Sequence, residues 1–291
     1  MQVIKFKIIL FFLLFYFSLL KTYSQIDSCF AKEFSFASHL SKQKDYKNAI
    51  YILKNISCKI FNGDSVNYFL GYNFFKLNQF DSAFFYFSNI DSISCLSAKS
   101  KFYQVYALNY LSKYNKSDSV ICKINEKYNN EITDLKTLQT IGSKLLNKEF
   151  IIFKDLQKDK TNGNFIFNAE LYNLNLAANK YQKIKEKSMF KAGLLSAFVP
   201  GLGKYYLGNK GQFLGAFIPI LILGNLATES YVVSGIKSVH FILYSSLFTI
   251  FYVGNIWGST LSVKVKKNEA NEEFRQTVLI NLDIPLDRIF K

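Results

Sequence analysis

The stretch over residues 188–263 limits what this chain can fold into. It reads SMFKAGLLSAFVPGLGKYYLGNKGQFLGAFIPILILGNLATES, then a short polar break, then SVHFILYSSLFTIFYVGNIWGSTLSV. Two segments in it, 213–228 and 239–263, read as membrane spans, since a crossing helix needs about 20 apolar residues to match about 30 Å of hydrocarbon. The second contains twelve Leu, Ile, Phe and Val residues, together worth roughly −4 to −7 kcal/mol of insertion free energy. That sum covers the cost of Asn255 and of His240 near its end. The first is shorter and contains Pro219, so a kink and packing on a neighbouring helix are expected. Gly211 with Gly215, and Gly254 with Gly258, offer small faces for close helix approach, across which Asn225 could pair with Asn255.

Residues 1–25 read as an export signal. Lys5 and Lys7 precede an apolar run over 8–20 broken only by Ser18, and TYSQ supplies small residues for cleavage near Ser24 and Gln25. The segment after Gln25 is therefore expected to be translocated.

Residues 26–156 carry an internal repeat. FASHLSKQKDYKNAIYILKNI aligns with LGYNFFKLNQFDSAFFYFSNI at a period of 34 without a gap. Tyr46 falls on Phe80, Ala49 on Ala83, Leu53 on Phe87 and Ala37 on Gly71; one further step lands on Val105, Leu108, Tyr114, Ser117 and Ile121. A fourth unit over 140–156, with Gly142, Phe150 and Phe153, is about two residues out of register. This pattern resembles the tetratricopeptide repeat, with a small residue midway in the first helix, an aromatic before the second, and a small residue three positions on. Ala49, Ala83 and Ser117 then stand where the two helices of a hairpin approach most closely. The resemblance implies a concave groove lined by the first helix of each unit, on Phe34, Ser38 and Ser41, then Tyr68, Tyr72 and Phe75, then Phe102, Tyr106 and Asn109. Of these, Tyr68, Tyr72, Phe75, Phe102 and Tyr106 are expected to contact a protein or peptide partner, because rings with a polar tip suit recognition surfaces. Burial inside the hairpins is the other reading of each ring.

All four cysteines lie in this exported region, where an even count permits disulfides. The repeat favours one of three pairings: Cys29 with Cys58 across the first hairpin, and Cys95 with Cys122 across the third. Four free, buried thiols are the alternative. Residues 157–187 form a helical bridge ending in Lys180, Lys183, Lys185 and Lys187, a cluster that suits anionic head groups or a solvated face.

A second resemblance covers about 190–275. AGLLSAFVPGLGKYYLGNKGQFLGAF resembles a bacterial pattern of the form LLSAxxPGxGQxYxGxxxxG, found in small membrane domains and in exported repeat proteins often encoded near a membrane-protein-insertion factor. FYVGNIWGSTLSVKVKKNEANEEF resembles the close of the same domain. The motif positions here are Pro200, Gly201, Gly203, Tyr206, Gly208, Gly254 and Asn255; Lys204 stands where Gln is usual, and the family's activity is undefined. Pro200 with the two glycines is expected to bend the chain near the membrane boundary. If helix continued through the bend, residues 189–208 would make a third crossing. That topology is preferred, because it brings Lys210, Lys264, Lys266 and Lys267 to the cytoplasmic side.

The expected fold is all-α: a short tetratricopeptide-like helical-hairpin solenoid, the bridge, a small transmembrane helical domain and a tail over 264–291. The tail's spaced apolar residues suit docking on the membrane surface or on the repeats. The formal charge of +15 comes almost wholly from lysine, with only Arg275 and Arg288 as arginines, which argues against nucleic acid. No phosphate loop, nucleophile elbow or metal-binding HExxH is present, and His39 and His240 are isolated. No enzyme and no cofactor is expected. The reading is a scaffold at the bacterial inner membrane, its repeats in the periplasm, touching membrane lipids and a protein or peptide partner. The alternative is an accessory subunit of a membrane assembly, insertion or transport machine, acting through the Pro–Gly domain.

Overall fold

The computed structural model describes residues 30–59, 63–124, 130–158 and 165–290. The expected export signal over 1–25 lies outside them. Every regular element among the described residues is an α-helix. The chain divides into two compact units, Met1–Asn168 with Leu282–Lys291, and Ala169–Asn281.

The first unit is a run of helical hairpins: α1 (30–42), α2 (Tyr46–Lys59), α3 (Asp64–Lys76), α4 (Phe80–Ser88), α5 (Ser97–Tyr110), α6 (Tyr114–Cys122), α7 (Asn130–Leu146) and α8 (Phe150–Lys158). From α2 onward each helix packs on the next, and α5 also touches α3 and α7. Small residues set these approaches: Ala37, Ala49, Ala83 and Ser117 are fully buried. A Cβ on Gly71 would lie 2.8 Å from the Phe87 ring, so only glycine lets α3 and α4 close.

The repeat recurs in the backbone itself. One residue in each hairpin turn adopts positive φ: Lys44, Asn78, Ser112 and Lys148, spaced by 34, 34 and 36 residues. Each turn is closed by the same bonds. In the second, Gln79 N–H donates to the Phe74 carbonyl at 2.9 Å and Asn78 N–H to that of Phe75 at 2.9 Å; in the fourth, Glu149 donates to Lys144 at 2.9 Å and Lys148 to Leu145 at 3.0 Å. This closure satisfies carbonyls left open at a helix end. It offsets a left-handed conformation that costs a residue with a Cβ roughly 1–2 kcal/mol. The fourth turn thus recurs with the same closure, two residues later than a period of 34 would place it.

The second unit contains α9 (Asn168–Lys185), α10 (Met189–Phe198), α11 (Leu202–Tyr206), α12 (Lys210–Ser234) and most of α13 (Val239–Phe290). The 25-residue α12 and the 52-residue α13 are long and apolar enough to cross a membrane. Their apolar windows are only 11% and 6% buried, the opposite of a soluble core helix, which is consistent with membrane association. Helix α12 carries Pro219 internally and covers more than the span expected from sequence. Helix α13 does not stop at residue 263. No glycine or proline interrupts residues 264–284, and a stripe of Ala270, Phe274, Val278, Leu282 and Leu286 lies buried at four-residue spacing, as an amphipathic helix requires. Helix α9 pairs with it: Tyr181 stacks on Phe274 at 4.9 Å, Lys180 pairs with Glu273, and Asn173 donates to Asn281 at 3.1 Å.

The third crossing expected over residues 189–208 is not formed by a continuous helix. Helix α10 has ten residues, about 15 Å long and half of what a crossing needs. The chain then turns at Gly201, with φ 84°, and α11 folds back against α10. Gly203 N–H donates to Ser196 Oγ at 2.9 Å. The expected small faces are not used either. A Cβ on Gly211, Gly215, Gly254 or Gly258 would meet nothing within 4 Å, whereas one on Gly224 would lie 3.3 Å from Phe248. Asn225 is exposed and makes no pair with Asn255.

Candidate functional site

The five rings expected to line an open groove do not line one. Tyr68, Phe75, Phe102 and Tyr106 are buried and Tyr72 is half-buried. Two different causes act. Phe75 and Tyr106 belong to the hairpin core, packing on each other at 5.1 Å and on Phe80 at 5.4 and 5.8 Å. The face that α3, α5 and α7 share is covered by the chain's own C-terminal segment, residues 282–290.

That segment is held along its length. Gln139 Nε2 donates to the Leu282 carbonyl at 3.0 Å. Opposite it, a Cβ on Gly142 would lie 2.5 Å from Leu282 Cδ1, so glycine is what lets this side chain seat. One turn on, Lys76 Nζ reaches both Asp287 oxygens at 2.7 and 2.9 Å. At the end, the Phe290 ring sits 5.6 Å from Phe102 and 6.1 Å from Tyr103. Lys99 Nζ donates to the Phe290 carbonyl at 2.6 Å and lies over the Tyr68 ring at 5.0 Å. Leu282 and Leu286 are fully buried. The face therefore recognises a short amphipathic helix by two leucines, one carboxylate and a terminal ring.

The electrostatics are not uniformly favourable. Burial pushes the phenols of Tyr68 and Tyr103 far up, so both are neutral hydrogen-bonding rings. Burial alone would lower Lys76, but its hydrogen bond to Asp287 and its proximity to Tyr72 hold it above the ordinary range. Lys99 is lowered by burial. Asp283 is the discordant member: burial raises its carboxyl, the charge of Lys76 only partly opposes this, and Asp287 adds repulsion. Its Oδ1 is buried without a hydrogen-bond partner.

A carboxyl raised on docking binds its proton more readily in the docked state. Its contribution is thus most favourable below the usual carboxylate range and is lost as pH rises through the raised value. Asp283→Asn is expected to slow proteolytic release of the C-terminal segment at neutral pH. That gain should vanish below the usual carboxylate range, where the aspartate is protonated docked or free. Faster release at neutral pH would show that Asp283 stabilises docking.

The expected Cys95–Cys122 disulfide is absent: both are free and exposed. Cys95 sits in the turn ahead of α5, off the helical face that meets α6. The Cys29–Cys58 pairing lies outside the described residues, as do Cys29 and the Cys58 side chain. Alkylation of the folded, unreduced protein is expected to label Cys95 and Cys122. Labelling of both only after reduction would contradict free thiols.

The motif of the second unit gathers residues distant in sequence. Tyr206 lies under Lys187, whose Nζ is 4.1 Å from the ring centre, and its hydroxyl accepts from Ser188 N–H at 3.4 Å. Gly208, like Gly201, has positive φ, and Pro200 lies in the turn between α10 and α11. Helix α10 rests on α13 through Tyr252, which donates to the Ala197 carbonyl. Lys204 of α11 and Gly254–Asn255 of α13 line one cavity. No family model matches the chain, and no curated protein or solved structure matches it either.

Sequence reasoning missed Lys76, Lys99, Tyr103 and Gln139; docking of the tail on the repeats was one of its two expectations, without the residues that hold it. A legible signal existed in part: the four-residue stripe ending at Leu286 and the Asp283–Asp287 pair one turn apart mark an acidic amphipathic helix.

Proposed function

We propose that this chain is a membrane-anchored interaction protein. Its tetratricopeptide-like repeats take an acidic amphipathic helix of a partner protein in their groove, and its own C-terminal helix holds that groove until the partner displaces it. The observation that carries this reading is the occupied face of α3, α5 and α7, where Lys76 and Lys99 grip Asp287 and the Phe290 carbonyl. A surface that binds one such helix in cis has the chemistry to bind another in trans, the helix-in-groove mode of peptide recognition. The half-buried Asp283, whose Oδ1 is buried without a partner, makes the resident helix an imperfect ligand, which favours exchange. Helices α12 and α13 would anchor the protein in a bacterial inner membrane with the repeats in the periplasm. An accessory role in a membrane machine through the Pro–Gly domain is a second reading, favoured by the cavity that its motif residues line.

The test compares the full chain with one ending at Asn281. A fluorescent peptide of residues 276–291 should bind the shortened protein and be excluded from the full chain. Lys76→Glu in the shortened protein should weaken binding by about tenfold or more, the worth of a partly buried charge-assisted hydrogen bond. A shortened protein that keeps its helical content yet ignores the peptide would defeat the proposal.

A further inference from the structure

The cavity in the second unit has a volume of about 360 Å³ and is lined by Lys204 of α11, Gly215 and Pro219 of α12, and Phe251, Gly254 and Asn255 of α13. Three features make it more than a gap between helices. Asn255 is only 6% exposed, and its amide nitrogen and oxygen are both buried without partners, a costly state for a polar group. Lys204 forms no ion pair among the described residues. The floor beside them is bare, since nothing lies within 4 Å of a Cβ placed on Gly215 or Gly254. One cation, one amide with both its groups free, and a smooth apolar trough call for a ligand with an acidic head, a polar linkage and a hydrocarbon chain.

We propose that this cavity is a binding site for an anionic bilayer lipid. The acidic head pairs with Lys204, the linkage exchanges hydrogen bonds with Asn255, and the chain lies over Gly215 and Gly254 between Pro219 and Phe251. A transmembrane helix of a second copy would also fit the bare glycines, but it would leave the charge of Lys204 unmatched. The lipid meets both polar demands at once. It also accounts for the meeting of two segments about 50 residues apart in sequence, because each supplies one polar contact. The site rests on the membrane reading of α12 and α13 and is independent of the repeat groove.

Trp257 is the only tryptophan of the chain, so Phe251→Trp with Trp257→Phe moves the sole indole to the cavity wall. The full chain carrying both changes is reconstituted into vesicles of brominated anionic phosphodiester lipid, brominated zwitterionic lipid, or mixtures of the two. Quenching should show about a fivefold preference for the anionic lipid, the effect of one lysine at a membrane surface. The preference should fall to parity in Lys204→Gln and persist in Lys204→Arg, and Asn255→Leu should weaken the anionic lipid. Relief of quenching by an unbrominated fatty acid would assign the head to a carboxylate, and no relief to a phosphodiester; both outcomes support the site. Parity in the parent protein, or a preference that survives Lys204→Gln, would overturn it while leaving the membrane reading intact. Absence of quenching by either lipid would overturn both, and would point to a cavity covered by protein.

Discussion

Gly203→Ala is expected to open the α10–α11 hairpin and to be among the most damaging single changes in the second unit. A Cβ at this position would overlap the Ala192 carbonyl oxygen and lie 2.6 Å from Ser196 Oγ. The first obstacle is backbone, which cannot rotate away, and the second is the hydroxyl that accepts from Gly203 N–H. Overpacking of this kind costs typically 1–3 kcal/mol, and loss of the buried hydrogen bond adds about 1 kcal/mol. Proteolysis of the reconstituted protein between residues 199 and 209 should accelerate by about a hundredfold, the kinetic equivalent of roughly 3 kcal/mol if cleavage follows local opening. A variant as resistant as the parent would show that α10 and α11 are not held by this contact.

The second large effect is expected at the docked helix. Leu282→Ala with Leu286→Ala removes two fully buried side chains, each worth roughly 2–5 kcal/mol in a closed core. The two lie one turn apart on one buried stripe, so the costs are not expected simply to add. Even the lower bound is enough to release a short helix whose other anchors are a half-exposed ion pair, two hydrogen bonds to carbonyls and the Phe290 ring. Amide exchange over 282–290 should become fast, while α2 to α7 stay protected by the hairpin packing of Phe75, Phe80 and Tyr106. Global loss of protection would mean that the segment is integral to the fold of the repeats. No change would mean that it is held by something other than its leucines.

How much of this could be read from the sequence depends on how local each feature is. The 34-residue period was legible because it is local: each turn at Lys44, Asn78 and Ser112 is closed by carbonyls three and five residues away. The fourth turn at Lys148 was blurred only by its two extra residues. The two long apolar helices were legible by composition, and the bend after Phe198 by Pro200 and its glycines, but the folding back of α11 on α10 depends on Gly203 meeting Ala192, a contact between two small residues that no hydropathy pattern reports. The groove was the instructive failure. Ring density on α3 and α5 is the same whether a ring faces its hairpin partner, as Phe75 and Tyr106 do, or a docked helix, as Phe102 does. The segment that covers Phe102 lies nearly 190 residues away in sequence, and its stripe fits a membrane surface equally well. Only the meeting of Lys76 with Asp287, and of Gly142 with Leu282, separates the two.

The central claim is that residues 282–290 occupy the face of α3, α5 and α7 of the same chain, and a disulfide trap tests it most directly. Leu282 atoms lie within 3 Å of where a Cβ on Gly142 would stand, inside the reach of a disulfide. With Cys29, Cys58, Cys95 and Cys122 replaced by serine, Gly142→Cys with Leu282→Cys should form an intrachain crosslink under mild oxidation in the membrane. Adding the peptide of residues 276–291 before oxidation should lower its yield. An intrachain bond confirms the resident helix, whereas only free thiols, or only a bond between two chains, would contradict it.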